Sequence, residues 1–506
     1  MHREVAPAVA AIAHRHPAVG LAVGVVSDGG LACFAGHGLA DIASGTPVTK
    51  DTVFRIGSIT KTLTGVAVMQ LWEQGLLDLD APVNRYLRAF PLVADREDWR
   101  HVTVRHLLTH TAGVPDVRSV RDLLRGGMTP ADGRPPVLSV PFGEALPSLA
   151  DHYADGLRVV AEPGTAWAYS NPSFAALGQV VEDVTGQPLD RYLRQHVFAP
   201  LGMEHSDLVR SDRVASRLAT GYAMGPHGAS PVQDRDWIGV GAGGAYATSG
   251  DLALYLAALL GGGANEHGRV LRASTLATML EPQFQPDPRV PGMGLSFFRG
   301  DLGGHRVVYH DGILPGFNTS LVAAPDDGIG VFGMTNGSAG AFAWLQVELD
   351  ALTRHLLGIG DEDRHAPHHP ELWPAFCGRY VLPPGVADVR ERLMLGGGIE
   401  VLVRGGRLLA RVLTPIPILF RGFPLEPADR DPDVFRVDLS SLGMAPVRVV
   451  FGTRAGGRAM ALHTDVGGQP WSLRRAPAAP GWRGPAVRAG LAAAAATAVL
   501  WRRRRV

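Results

Sequence analysis

FRIGSITKTLTG, residues 54–65, contains Lys61, one of only two lysines, with Lys50, among the 48 Lys and Arg residues of a 506-residue chain. An arginine never gives up its proton in a protein, whereas a desolvated lysine amine can become neutral and act as a base. Ser58 lies three residues earlier, and on a helix positions i and i+3 share a face. A serine hydroxyl is a poor nucleophile until a neighbouring base removes its proton, and a neutral amine is one such base. Ser58 and Lys61 are therefore a candidate nucleophile and base. S-x-x-K fixes only two positions and also arises by chance, so the rest of the chain has to decide.

Working outward, SITKTLTGVAVMQLWEQGLLDL carries apolar residues at helical spacing, Val66, Leu71 and Trp72 among them, with Gly75 as the stop. Ser58 then sits near a helix N-terminus, whose positive dipole end faces any negative charge developing at the reaction centre. Upstream, GLAVGVVSDGGLACFAGHGLA reads as two β runs around an SDGG turn. Downstream, PSFAALGQVVEDVTG and DRYLRQHVFAPLG read as amphipathic helices, and FNTSLVAAPDDGIGVFGMTN as a strand, a turn and a second strand. The Pro/Gly-rich segment between Gly113 and Gly164 reads as a lid over a site or as an inert surface insertion.

At 358–372 the composition turns polar and proline-broken, GIGDEDRHAPHHPEL, as in an interdomain linker, and its His365, His368 and His369 read as solvated rather than metal-binding. Beyond it CGRYVL, IEVLVRGGRLLARVL, DVFRVDL, VRVVFG and RAMALHT are short strands separated by turns, the pattern of a small antiparallel barrel or sandwich.

Hydrophobic residues make up 46% of the chain and the formal net charge is zero, an ordinary soluble composition with no electrostatic case for nucleic acid. Cys33 and Cys377 are too few for a disulfide framework and lack metal-site spacing. Glu4, Pro7 and the HRH that follows break up the apolar start, which argues against a secretory signal and makes the cytoplasm the expected location. The stretch AGLAAAAATAVLW, 489–501, would rise about 20 Å as a helix against a hydrocarbon layer of roughly 30 Å. Membrane contact through this tail is less expected than a surface helix, with an interfacial helix as the intermediate case. GVGAGG, 239–244, matches G-x-G-x-x-G but follows the polar QDRDW and has no βαβ unit around it, so it reads as a glycine-rich turn. There is no Walker A loop, no H-E-x-x-H and no G-x-S-x-G.

Two further clusters decide the matter: EPGTAWAYSNPSF, with Tyr169 and Asn171, and VVYHDGILPGFN, with His310, Gly312 and Gly316. With Ser58-Ile59-Thr60-Lys61, Tyr169-Ser170-Asn171 and His310-Asp311-Gly312 in the order S-x-x-K, Y-x-N, H-x-G, the chain resembles the serine β-lactamase and penicillin-binding-protein superfamily in its class C-like, esterase-like branch. VTVRHLLTHTAGVPD, APLGM and GAGGAYATSGDLALYL look like that family's connecting segments, and the likeness runs over roughly residues 10–357.

The resemblance implies a β-lactamase/transpeptidase-like α/β (α+β) fold, with a central antiparallel sheet flanked by helices plus a helical subdomain. In this reading residues 1–357 are the catalytic domain, 358–372 the linker, 373–476 a β-rich, lipocalin-like barrel domain and 477–506 an Ala/Arg-rich tail. It also implies a serine hydrolase that forms an acyl-enzyme on Ser58 and cleaves an ester or amide of a small-molecule or peptide substrate, D-amino-acid-containing ones included. Lys61 would accept the Ser58 proton, and Tyr169, deprotonated or sharing a proton with Lys61, would relay protons to the leaving group. Asn171 would bond the amine and the substrate amide, and the backbone N–H groups of Ser58 and Ile313 would form the oxyanion hole.

His310 replaces the lysine that many members carry in the third motif. A histidine is neutral much of the time near pH 7, so penicillin, with its carboxylate, is a less expected substrate. Penicillin-binding-protein-type thioesterases, which macrocyclise nonribosomal peptides, carry the same motifs and a small β domain, so acyl transfer stands as the alternative. A catalytically silent binding protein on the same fold is disfavoured, because binding needs no lysine base beside a serine. No cofactor and no metal are implied.

Overall fold

The computed structural model describes residues 2–117, 139–360, 366–386, 388–414 and 416–477. A helix, α1 (His2–Arg15), leads into the expected hairpin of β1 (Gly20–Ser27) and β2 (Gly30–Asp41). Asp28 and Gly29 turn the chain at φ 52° and 81°, the left-handed pair that a two-residue hairpin requires. The short β3 (Thr46–Pro47) pairs beside β2, and the remaining strands come much later: β4 (Phe298–Leu302), β5 (His305–Leu314), β6 (Phe317–Ala324) and β7 (Ile329–Thr335). The order is β4-β5-β6-β7-β1-β2-β3, antiparallel throughout. The returning hairpin read from FNTSLVAAPDDGIGVFGMTN thus places β7 beside β1.

Every residue of β1 is buried because helices cover both faces. The serine-bearing segment continues into α2 (Thr60–Glu73), and α3 (Asn171–Thr185) packs against it. On one face of the sheet lies α4 (Ser249–Leu260), with Leu256 over Gly330; on the other lies α5 (Ala341–Leu356), with Leu345 and Leu349 over Gly333. α2 is buried from Thr60 to Leu71, so its threonine hydroxyls need internal partners. Thr60, Thr62 and Thr64 find them in the carbonyls of Gly57, Ile59 and Gly241 at 2.6–2.8 Å. The helix stops where Gly75 takes φ 71°.

Two local expectations change. DRYLRQHVFAPLG is a short α-helix, Leu189–Leu193, that widens into a π-helical turn, Arg194–Phe198, where the buried Gln70 amide claims the His196 carbonyl at 2.8 Å. The polar stretch before GVGAGG is a strand, Arg235–Trp237, paired with Ser139–Pro141, and Val240–Gly243 is one helical turn. The centre of the segment read as a lid, 118–138, lies outside the described residues, as do His365 and the tail from 478. Among the described residues no helix is long and apolar enough to cross a membrane.

The C-terminal strands are β8 (Gly378–Val381), β9 (Ile399–Arg404), β10 (Arg407–Val412), β11 (Phe423–Pro424), β12 (Glu426–Pro427), β13 (Val434–Val437), β14 (Val447–Ala455), β15 (Arg458–Thr464) and β16 (Trp471–Arg475), with α6 (Val389–Leu395) between β8 and β9. Their order is β11-β10-β9-β8-β16-β15-β14-β13-β12. The two outermost strands flank Leu425 in sequence, so the sheet curls until its edges nearly meet, and a barrel results. Phe376, stacked on Phe451 at 4.5 Å, fills its interior with Tyr380 and Phe435. The same apolar cluster continues through Trp344 and Leu349 of α5 to Val5 and Val9 of α1. Barrel and main sheet therefore share a core.

Candidate active site

Gly57–Ile59 forms a single 3-10 turn directly before α2, with Gly57 and Ile59 buried and Ser58 between them half-buried. Thr319 of β6 ties this turn to the sheet by donating to the Ile56 carbonyl at 2.9 Å. One turn on, Lys61 is fully buried. Its amine lies 2.9 Å from Ser58 Oγ, 2.6 Å from Asn171 Oδ1 and 2.6 Å from the Ala242 carbonyl. The last two can only accept. A neutral amine has two N–H bonds and one lone pair, so with both N–H groups engaged there, its lone pair is left for the Ser58 hydroxyl. Burial pulls the Lys61 pKa down to about 7, with the charge of Asp116 pulling it partly back. Lys50, the other lysine, is an exposed partner of Asp51.

Tyr169 and Asn171 flank Ser170, the N-cap of α3, whose hydroxyl accepts the Ser173 N–H at 3.1 Å. Asn171 is thus the first helical residue, with Pro172 behind it at a position that has no N–H to satisfy. The Asn171 N–H donates to Asp116 Oδ1 at 3.1 Å, leaving the side-chain amide for Lys61. The Tyr169 ring stands 4.8 Å from the Lys61 amine. Burial raises the phenol pKa above its ordinary value, against a lowering hydrogen bond with Ser58. Burial outweighs that bond and the charge of Arg390, so the neutral phenol is favoured over the phenolate, one of the two forms the resemblance implies.

His310 is buried on β5. Its Nδ1 lies 2.8 Å from the Asp311 carbonyl, which can only accept, so Nδ1 carries the proton and Nε2 is an acceptor, buried without a partner. Burial, then the neighbouring Lys61 charge, lowers its pKa to about 3. Four residues on, Leu314 pairs with Phe317 across the two-residue turn, so Ile313 and Asn318 occupy the next, non-hydrogen-bonded position. β4 reaches only to Phe298, opposite Tyr309. The Ile313 N–H accordingly turns away from β6, toward the Gly57 turn, where a Cβ placed on Gly57 would lie 2.9 Å from it.

All the residues singled out in the sequence come together, and the fold adds others. The GVGAGG segment, read as a bare turn, supplies the Ala242 carbonyl. His110, at φ 57°, lies against the Tyr169 ring, tilted by 30° with centroids 4.5 Å apart. Its Nδ1 accepts the Ser170 N–H at 3.0 Å, so its buried, unpartnered Nε2 is a donor where that of His310 is an acceptor. Burial lowers its pKa well below the ordinary histidine value. Asp116 and, from the barrel, Arg390 complete the surroundings, 2.7 Å apart. The only sequence signal for His110 and Asp116 was their place in VTVRHLLTHTAGVPD. Among the described residues no group of three or more His, Cys, Asp or Glu side chains could hold a metal ion.

The chain is similar to several known proteins. Esterase EstB of Burkholderia gladioli is 36% identical over 265 residues, 50% of this chain and 63% of its own length. Penicillin-binding protein 4 of Amycolatopsis lactamdurans is 30% identical over 341 residues, 65% of this chain and 83% of its own. The crystal structure of SurE with D-Leu matches in fold, at a TM-score of 0.56 and 24% identity, over 94% of this chain and 99% of that one, the barrel included. The β-lactamase family model matches residues 5–351. A match of that length, spanning all three motifs and well over half of the sequence, makes this chain a member of the β-lactamase family.

Proposed function

We propose that the protein is a serine acyl hydrolase that forms an acyl-enzyme on Ser58 and cleaves an ester or amide. The observation that carries this reading is the Lys61 amine: buried, its pKa drawn down to about 7, hydrogen-bonded to the acceptors of Asn171 and Ala242, its third hydrogen-bond partner the Ser58 hydroxyl. As Oγ attacks the acyl carbonyl, Lys61 takes the hydroxyl proton, and the developing oxyanion lies against the N–H groups of Ser58 and Ile313. Tyr169 then gives its proton to the leaving group and recovers one from the Lys61 ammonium. Water entering on the same side reverses these transfers and frees the acid. A neutral, proton-accepting His310 Nε2 suits a substrate N–H or O–H rather than a carboxylate, which favours esters and amides over penicillins. The cytoplasm remains the proposed compartment, in keeping with a chain of only two cysteines, too few for a disulfide framework.

Resolution of the acyl-enzyme by an amine is the second reading. The barrel favours it, because the thioesterases that the sequence resembles carry a β domain after the catalytic one. A D-configured acyl residue is proposed with it, in line with the D-Leu held by SurE.

The test is intact mass after brief exposure to p-nitrophenyl butyrate and acid quench, with nitrophenolate release followed in parallel. A butyryl adduct or turnover in the parent, with both lost in Ser58→Ala, is the expected result. Undiminished turnover in Ser58→Ala would remove Ser58 as nucleophile. Paired D- and L-configured thioesters bearing an internal amine then separate acid from cyclic product.

A further inference from the structure

The barrel reaches into the site through α6. Asp388, the N-cap of this helix, is fully buried and does more than cap: it accepts the Val117 N–H at 3.0 Å, while the Val389 N–H donates to the Val117 carbonyl at 3.1 Å. These two bonds fasten the start of α6 to the loop that carries Asp116 and Val117. Asp388 also holds the Arg390 guanidinium at 2.9 and 3.1 Å. From there Arg390 Nη2 reaches Asp116 Oδ2 at 2.7 Å. The other Asp116 oxygen takes the Asn171 N–H at 3.1 Å, and the Asn171 amide oxygen takes the Lys61 amine at 2.6 Å. Next along the helix, the buried Glu391 carboxyl accepts the backbone N–H of Tyr169. One turn of the barrel's helix thus touches the loop and the motif that set the geometry of the base.

We propose that the barrel completes the catalytic machinery: Arg390 is a positioning residue that clamps Asp116, and through Asp116 and Asn171 holds the Lys61 amine with its lone pair toward Ser58. This rests on the reading of Ser58 and Lys61 given above. Electrostatics agree with the geometry. The groups acting on Lys61 are the Ser58 hydroxyl, the Asn171 amide, the Ala242 carbonyl, the Tyr169 phenol, the two neutral imidazoles of His110 and His310, and the Asp116 carboxylate. Asp116 alone in that set carries a negative charge, which favours the ammonium form of Lys61. Arg390 lies against Asp116, and at Tyr169 the two oppose each other, the Arg390 charge lowering the phenol pKa where that of Asp116 raises it. Without Arg390, Asp116 would act on the amine uncompensated.

The experiment measures kcat and KM against pH for the full chain with p-nitrophenyl butyrate and with the anionic mono-p-nitrophenyl succinate, comparing the parent with Arg390→Gln, Arg390→Lys, Asp116→Asn and the double variant Arg390→Gln/Asp116→Asn. The acid limb of kcat is expected to move up in Arg390→Gln and down in Asp116→Asn, each by roughly half a unit to one unit. Arg390→Lys, which keeps the charge, should stay near the parent, and the double variant should lose the upward shift. KM for the neutral ester should change less than twofold. A uniform fall in kcat with an unmoved limb would overturn the proposal in favour of a purely structural contact. A rise in KM confined to the succinate ester would overturn it in favour of a substrate-binding arginine. Should Arg390→Gln fail to fold, the direction of the Asp116→Asn shift decides alone. Turnover that survives Ser58→Ala would instead sink the underlying reading, an outcome visible before any arginine variant is made.

Discussion

Whether Lys61 can serve Ser58 turns on one proton. As an ammonium it has three N–H bonds for three acceptors, and Ser58 Oγ receives a hydrogen bond instead of losing its proton. As an amine it offers that same oxygen a lone pair. With the lysine pKa drawn down to about 7 by burial, kcat/KM is expected to rise with pH through that region and level off above it; a profile flat from pH 5 to 9 would count against Lys61 as base. Lys61→Arg cannot deprotonate and should lower kcat by about 10²–10⁴-fold, with circular dichroism confirming that the variant is folded. Sequence exposes this residue because lysine is so rare in the chain. It hides the Ala242 carbonyl, since every residue has a carbonyl and only tertiary packing aims this one at an amine. Arg390 is hidden likewise: one arginine among many, it comes close to Asp116 only because the barrel docks there.

The turn before α2 shows how much a short element decides. Gly57 takes φ 52°, and the space where a Cβ would sit is bounded by the Ile313 N–H and Gly312. Gly57→Ala should therefore cost about 1–2 kcal/mol of stability for the left-handed conformation and lower kcat toward the 10²–10³-fold expected when one oxyanion donor is lost, with KM nearly unchanged. Wild-type kcat in a folded Gly57→Ala variant would mean that the Ile313 N–H has no part in the reaction. Elements with a strong period or a turn signature were legible: the β1–β2 and β6–β7 hairpins of the main sheet, α2 to its stop at Gly75, α3, and most barrel strands. Those that were not take their form from partners. The π-helical turn follows Gln70, the Arg235–Trp237 strand follows Ser139–Pro141, and α6, only seven residues long, has no periodicity to read.

At the scale of the whole molecule, sheet, α5 and barrel meet around Tyr309. Its buried ring lies next to the Gly468 turn of the barrel, and its hydroxyl feels Asp350 of α5, Asp465 of the barrel and Asp311 of its own strand. Burial raises these carboxyls, Asp311 and Asp465 to about 6 and Asp350, with Asp311 as a like-charged neighbour, to about 8. A carboxyl raised on folding binds its proton more tightly in the folded chain. Its contribution to stability is therefore fully present below the unfolded value near 4, and is lost as pH rises through the folded one. Charging the junction should loosen the contact of barrel with sheet. Asp350→Asn fixes the neutral form, so its thermal midpoint relative to the parent should improve steadily from pH 5 to about 8 and hold constant above. Because Asp350 keeps an exposed edge, the gain per pH unit should stay well under the limit of about 1.4 kcal/mol for one proton. Thermal melts of both proteins at pH 5, 7 and 9 decide it: a difference that does not grow with pH would mean that Asp350 titrates as an ordinary surface carboxylate and that the junction is indifferent to its charge.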